Sequence, residues 1–426
     1  MMRDDRVAVL HFFRGSARMQ DVGEILEIHA WIPFISTAHG FRLPYQRESV
    51  SLDYRQNILR DVWTLGGEIL SAGRLTSPRI DPSRHSSIVS PKRQGSMDFG
   101  ESRKYRKSLA TCAQAITERL GLEDHIFKFL FSLENKVELI QICTTELDIP
   151  WDWIYDRDKN RFLCEVFGVG VTYPDSEQPI SRYQRRSDCS VTESQLASRQ
   201  YTALLVANTY VHTDHPTVKL GLETDRLAAF LRRPFGSMAV DVLKDQKRKT
   251  LLSVLRDRAS ALRLICFCGH FSDLGFRTSD GRHLARDSLM RAFEGLGDEP
   301  LEAQPLVVLN GCRTGGTSRY AMPQIEKSRD LARAFLDLGA EACMVTSTDV
   351  RLQYSIQFLE LFLENLLTPN TTLGVALLNT RNSMDKNRTY EWAAYHLLGD
   401  PTYVMVRSDD PAASVGEEPV GKVRAP

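Results

Sequence analysis

Two apolar runs of strand length in this chain each stop at a side chain able to do chemistry. Leu264-Ile-Cys-Phe-Cys-Gly-His270 ends on an imidazole, and Leu306-Val-Val-Leu-Asn-Gly-Cys312 ends on a thiol. The stretch between them has room for a loop, a helix and a return, so the two runs can be parallel neighbours in one sheet. Open α/β sheets build their sites at the carboxyl ends of such strands. A free thiol, with a pKa of about 8.5, is mostly protonated at neutral pH, and a neighbouring histidine can take its proton or stabilise its charge. The pattern predicts a cysteine nucleophile, Cys312, with a histidine base, His270.

A metal reading uses some of the same residues. Cys266, Cys268 and His270 have period-two spacing and, with Cys312, could form a zinc set. Structural zinc sites usually draw their ligands from turns, whereas two of these cysteines sit inside an apolar run. The residues therefore favour the nucleophile, and no metal or cofactor is expected. His283, His396, Asp152 and Asp156 read as structural, with no partner assigned to either histidine.

The rest of the sequence limits the setting. Its 426 residues are 42% hydrophobic, enough for one large or two moderate cores. Lys plus Arg and Asp plus Glu stand at 54 each, so no bulk charge points to nucleic acid or an anionic membrane. The opening Met-Met-Arg-Asp-Asp-Arg lacks a signal-peptide core, and no apolar run reaches the roughly 18 residues of a membrane span. The 8 cysteines lack a framework spacing, which fits reduced thiols in the cytoplasm.

Elements able to position the two side chains follow from periodicity. β segments are expected over 22–33 and 41–52, and a helix over 57–70. A polar linker covers 71–102, a helix 109–120, a buried strand 137–143 and a surface connection 175–199. From residue 201 strands alternate with helices. Strands fall at 203–207, 238–243, 264–268, 306–312 and 342–346, and helices at 222–231, 251–262, 289–296, 331–338 and 354–366. Gly339 takes the C-cap position of the fourth of these helices. Such alternation argues a mostly parallel sheet with helices on both faces.

Five blocks, in order, resemble the CHAT domains, the caspase-like peptidases related to caspases and separase. Phe267-Cys-Gly-His270 resembles their "F-A-G-H-G", and Val307-Val-Leu-Asn-Gly-Cys-Arg-Thr-Gly315 their "L-V-V-L-x-A-C-x-T-G". Leu147-Asp-Ile-Pro-Trp-Asp-Trp-Ile-Tyr-Asp156 is similar to "l-P-W-E-l-L-Y-D". The segment 330–340 is similar to the helix and Gly-Ala turn after the nucleophile, and 392–401 to "W-A-a-f-x-l-x-G-D-P". Two positions depart from the pattern: Phe271 stands where a glycine usually follows the histidine, and Ser347-Thr-Asp-Val350 lacks the tryptophan of "l-W-p-V".

The resemblance implies a caspase-like α/β fold over 102–406, preceded by an N-terminal strand-helix segment and linker over 1–101 and followed by a disordered tail over 407–426. It implies hydrolysis of peptide bonds in a protein substrate by a His270–Cys312 dyad, with backbone N–H groups of Phe271 and Cys312 holding the oxyanion. Asp349 matches the acid of separase's "W-D-V" and would line a pocket for a basic P1 residue; its alternative is a carboxylate capping the helix near Tyr354. An activating partner or signal is expected, and Phe271 is expected to add bulk over the site. The other classes left open are a CHAT-like scaffold without activity and the zinc-stabilised interaction domain.

Overall fold

The structure is a computed structural model. It describes residues 7–15, 25–32, 41–42, 46–49, 106–107, 109–114, 117, 131, 134–135, 137–144, 150–172, 202–208, 217–235, 240–272, 274–297, 300–311, 329–347, 350, 352–384, 389 and 391–405. The sequence-predicted helix at 57–70, the linker at 71–102, the connection at 175–199, Cys312, Asp349 and the tail lie outside these residues.

The strands in chain order are β1 (Val7–Gly15), β2 (Ile25–Ile32), β3 (Phe41–Arg42), β4 (Gln46–Ser49), β5 (Leu139–Thr144), β6 (Tyr155–Asp156), β7 (Arg161–Phe162), β8 (Gly168–Thr172) and β9 (Thr202–Ala207). They continue as β10 (Val240–Lys244), β11 (Leu262–Cys268), β12 (Phe271–Ser272), β13 (Gly275–Arg277), β14 (His283–Leu284), β15 (Leu306–Asn310), β16 (Ala342–Thr346) and β17 (Tyr395–Gly399). One sheet of 12 strands dominates, in the order β10-β9-β11-β15-β16-β17-β8-β5-β1-β2-β3, with β4 also on β2.

This sheet contains two parallel blocks. Strands β10, β9, β11, β15 and β16 run parallel to one another. Strands β17, β8, β5 and β1 are also mutually parallel. The blocks meet antiparallel at the β16–β17 seam. The start of β17 therefore lies at the carboxyl end of β16, on the edge where β11 and β15 also finish. The N-terminal strand β1 belongs to the same sheet, through its register with β5 (Val7↔Leu139 to Phe12↔Thr144).

Burial explains the apolar runs. Every residue of β15 and β16 is buried, as expected of parallel strands covered on both faces. Helices Arg248–Asp257 and Arg286–Phe293 bury Leu251 with Leu255 and Leu289 with Phe293, pairs one turn apart on a helix face. Helix Arg329–Asp337 ends at Gly339 with φ +97°, and Ala340 N–H donates to the Phe335 carbonyl at 2.9 Å. That bond and the left-handed glycine form a Schellman stop. No helix among the described residues is long and apolar enough to cross a membrane.

Candidate active site

The site is built from strand ends. Cys268, the last residue of β11, pairs with Asn310, the last of β15. Gly269 N–H donates to the Asn310 carbonyl at 3.3 Å, and Asn208 N–H donates to the Cys268 carbonyl at 3.1 Å. His270 and Cys312 each follow this paired position by two residues. His270 is exposed, and its carbonyl accepts the Arg277 N–H at 3.0 Å, so the chain turns straight back into a small β12–β13–β14 sheet. Asn208 ties that sheet to β9 by donating its side-chain amide to the Arg277 carbonyl at 2.5 Å.

Phe271 packs inward. It is buried, with its ring 5.1 Å from that of Phe276, which in turn meets Phe267 at 5.1 Å edge-on. Its backbone is not among the described residues with positive φ, so a side chain is accommodated there without left-handed strain. The ring is directed against Gly311, where a Cβ would stand 2.3 Å from Phe271 Cδ2. The phenyl ring belongs to the core.

The end of β15 is held from the other side as well. Tyr395 Oη donates to Asn310 Oδ1 at 2.6 Å, and Thr346 Oγ1 donates to the Gly311 carbonyl at 2.5 Å. Gly311 is the last described residue before Cys312. Asp349 likewise falls beyond Ser347, whose N–H donates to the Ala394 carbonyl at 2.9 Å.

The sequence reading missed a buried ionic group beside this edge. Asp152, in the 3₁₀ turn Trp151–Trp153, faces Arg381 and His396, and all three are buried. Arg381 Nη2 donates to Asp152 Oδ2 at 2.5 Å, and His396 Nδ1 lies 2.5 Å from Asp152 Oδ1. Burial pushes the Asp152 carboxyl up, but His396 and Arg381 together outweigh that and hold it below its ordinary value. Arg381 also donates to the carbonyls of Trp392 and Tyr395, at 3.2 and 2.5 Å. The available signal was a carboxylate between two tryptophans and an arginine on a helix that buries Leu373, Ala376 and Leu377.

The other thiols differ from a nucleophile's. Cys266 and Cys268 lie 3.7 Å apart in the core, and the Cys268 thiol followed by burial raises Cys266 well above its ordinary value. Burial likewise raises the Cys343 thiol above its ordinary value. No group of three or more His, Cys, Asp or Glu side chains suited to a metal occurs among the described residues. His283 is close enough to feel His270. Burial first, then Arg277 and His270, pull its pKa below the ordinary histidine value.

Comparison with known proteins gives a family match and distant structural likenesses. The family model described as CHAT domain matches residues 120–400. Among solved structures, two of the separase–securin complex of Saccharomyces cerevisiae give TM-scores of 0.49 and 0.47 at 10% and 9% identity. In both, the match covers 92% of this chain and 30% of that one, so the chain spans less than a third of the length of its partner in the comparison. A complex of the pro- and mature domains of Porphyromonas gingivalis RgpB gives 0.41 at 12% identity, covering 84% of this chain and 78% of that one. No curated protein matches the sequence.

Proposed function

Because this chain belongs to the CHAT domain family, we propose that it is a caspase-like cysteine endopeptidase acting on a protein substrate. The observation that carries the proposal is the register of Cys268 with Asn310, the last residues of β11 and β15, which precede His270 and Cys312 in sequence by two residues each. Neighbouring parallel strands lie about 4.8 Å apart, a spacing that suits a thiol and an imidazole acting on one bond.

In this reading His270 raises the thiolate fraction of Cys312. The thiolate attacks the scissile carbonyl carbon, and the carbonyl π electrons move to oxygen as the tetrahedral oxyanion forms. The N–H groups of Phe271 and Cys312 hold that oxyanion. Its collapse breaks the C–N bond, His270 protonates the leaving amine, and water then hydrolyses the thioester with His270 as base. Asp349 provides the carboxylate for a basic P1 side chain. Six cysteines among the described residues are free and buried, which fits work in a reducing compartment. The substrate and an activating partner are both proteins in this proposal.

The test is an unbiased peptide-library digest by the purified chain, with Cys312→Ala and His270→Ala as controls. Cleavage that both substitutions abolish is the expected result. Cleavage persisting near the wild-type rate in Cys312→Ala removes the nucleophile. An absence of cleavage by wild type, with or without cell extract as a source of activator, favours the inactive scaffold.

A further inference from the structure

A line of buried hydrogen bonds runs from the Asp152 ion pair to the strand end that leads into Cys312. Asp152 holds the Arg381 guanidinium, and Arg381 holds the Tyr395 carbonyl at 2.5 Å. The Tyr395 ring is stacked on Phe358, centroids 3.9 Å apart and planes 8° from parallel. Its hydroxyl is thereby aimed at β15, where it donates to Asn310 Oδ1. The amide nitrogen of Asn310 then faces Cys268 Sγ at 3.8 Å, on the strand that leads to His270.

The direction of this chain is fixed by chemistry. Burial above all, with the nearby Glu391, raises the Tyr395 phenol well above its ordinary value, so it stays protonated and donates. Asn310 must therefore present its carbonyl to Tyr395 and its NH₂ to Cys268. With the amide plane set in this way, Asn310 has one orientation, and its neighbour Gly311 is clamped between Thr346 and the Phe271 ring.

We propose that Tyr395 is a positioning residue for Cys312: its hydroxyl fixes Asn310, and the Asp152–Arg381 pair fixes Tyr395. This rests on the reading of Cys312 and His270 as a dyad. Reaction geometry is sensitive to small displacements, and a misplacement of about 1 Å costs about a hundredfold in rate.

The test is the pH profile of iodoacetamide alkylation at Cys312, resolved by mass spectrometry on the full chain, with peptide hydrolysis measured in parallel. Tyr395→Phe keeps the ring on Phe358 and the carbonyl on Arg381, and removes only the hydroxyl. Its alkylation midpoint is expected to rise toward the free-thiol value of about 8.5, and kcat to fall about tenfold or more with KM unchanged. Asn310→Ala added to Tyr395→Phe is expected to cost little more, since both remove one linkage. An unchanged midpoint and kcat in Tyr395→Phe overturns the positioning role and leaves the dyad standing. Fully additive losses, or labelling of Cys266 and Cys343 along with Cys312, show a merely structural role and overturn it too. A wild-type Cys312 no more reactive than glutathione overturns dyad and positioning together.

Discussion

The ring of Phe271 occupies the space where a side chain on Gly311 would begin. A Cβ there would meet Phe271 Cδ2 at 2.3 Å and the Gly269 carbonyl oxygen at 2.6 Å. The residue after His270 and the residue before Cys312 are therefore fitted to each other: the Phe271 ring has room because Gly311 carries no side chain.

Gly311→Ala is expected to destabilise the chain by about 1–3 kcal/mol, the usual cost of overpacking, and to slow Cys312 alkylation. Urea unfolding and alkylation rates check this. Phe271→Ala in the same chain should relieve only part of the strain, because the Gly269 carbonyl is backbone and stays in place. Complete recovery in the double variant would mean that the ring alone makes the conflict.

Breaking the buried ion pair is expected to cost more than replacing it. Asp152→Asn or Arg381→Met leaves an uncompensated buried group and should lose about 3–5 kcal/mol, whereas the double variant should recover much of that. Chemical denaturation of the three chains tests the ranking. A double variant as unstable as the worse single one would contradict it.

The same carboxylate gives a pH signature. Its pKa in the folded chain is lowered, so its contribution to stability is fully present above the unfolded value of about 3.9 and is lost as pH falls through the folded value. Denaturation midpoints measured from pH 6 to pH 3 should drop in the acid range for wild type, and less steeply for Asp152→Asn. Parallel acid limbs would assign the drop to other groups.

Thiol chemistry should separate the cysteines sharply. Cys266, Cys268 and Cys343 are 0–1% exposed, so they should be alkylated only as fast as the chain opens. Cys312 should label first under native conditions, and His270→Ala should slow it at pH 7. Equal labelling of Cys266 at neutral pH would contradict the assignment.

The P1 preference tests Asp349. A P1-varied fluorogenic series is expected to favour arginine and lysine, and Asp349→Asn to lose about 2–5 kcal/mol of that preference. Indifference of the wild-type chain to P1 charge would take Asp349 out of the site.

Much of the site's framework was legible in the sequence. The runs ending at His270 and Cys312 read as adjacent parallel strands because buried strands are continuously apolar, and β11 and β15 pair as that requires. The helix stop at Gly339 was legible because left-handed backbone favours glycine. The role of Phe271 was not, since a side chain's direction depends on what lies opposite, and Gly311 is 40 positions away in sequence.

By itself the sequence determined the alternation of strands and helices, the five family blocks, and the two apolar runs of β11 and β15 that precede an imidazole and a thiol, because periodicity and local chemistry are written in short windows. Tertiary structure alone decided the antiparallel seam at β16–β17, which brings Tyr395 to the end of β15. It alone joined Asp152 to Arg381 and His396, over separations of 229 and 244 residues. A buried charge is tolerable only where its partners arrive from elsewhere in the chain, and no local pattern says which ones will.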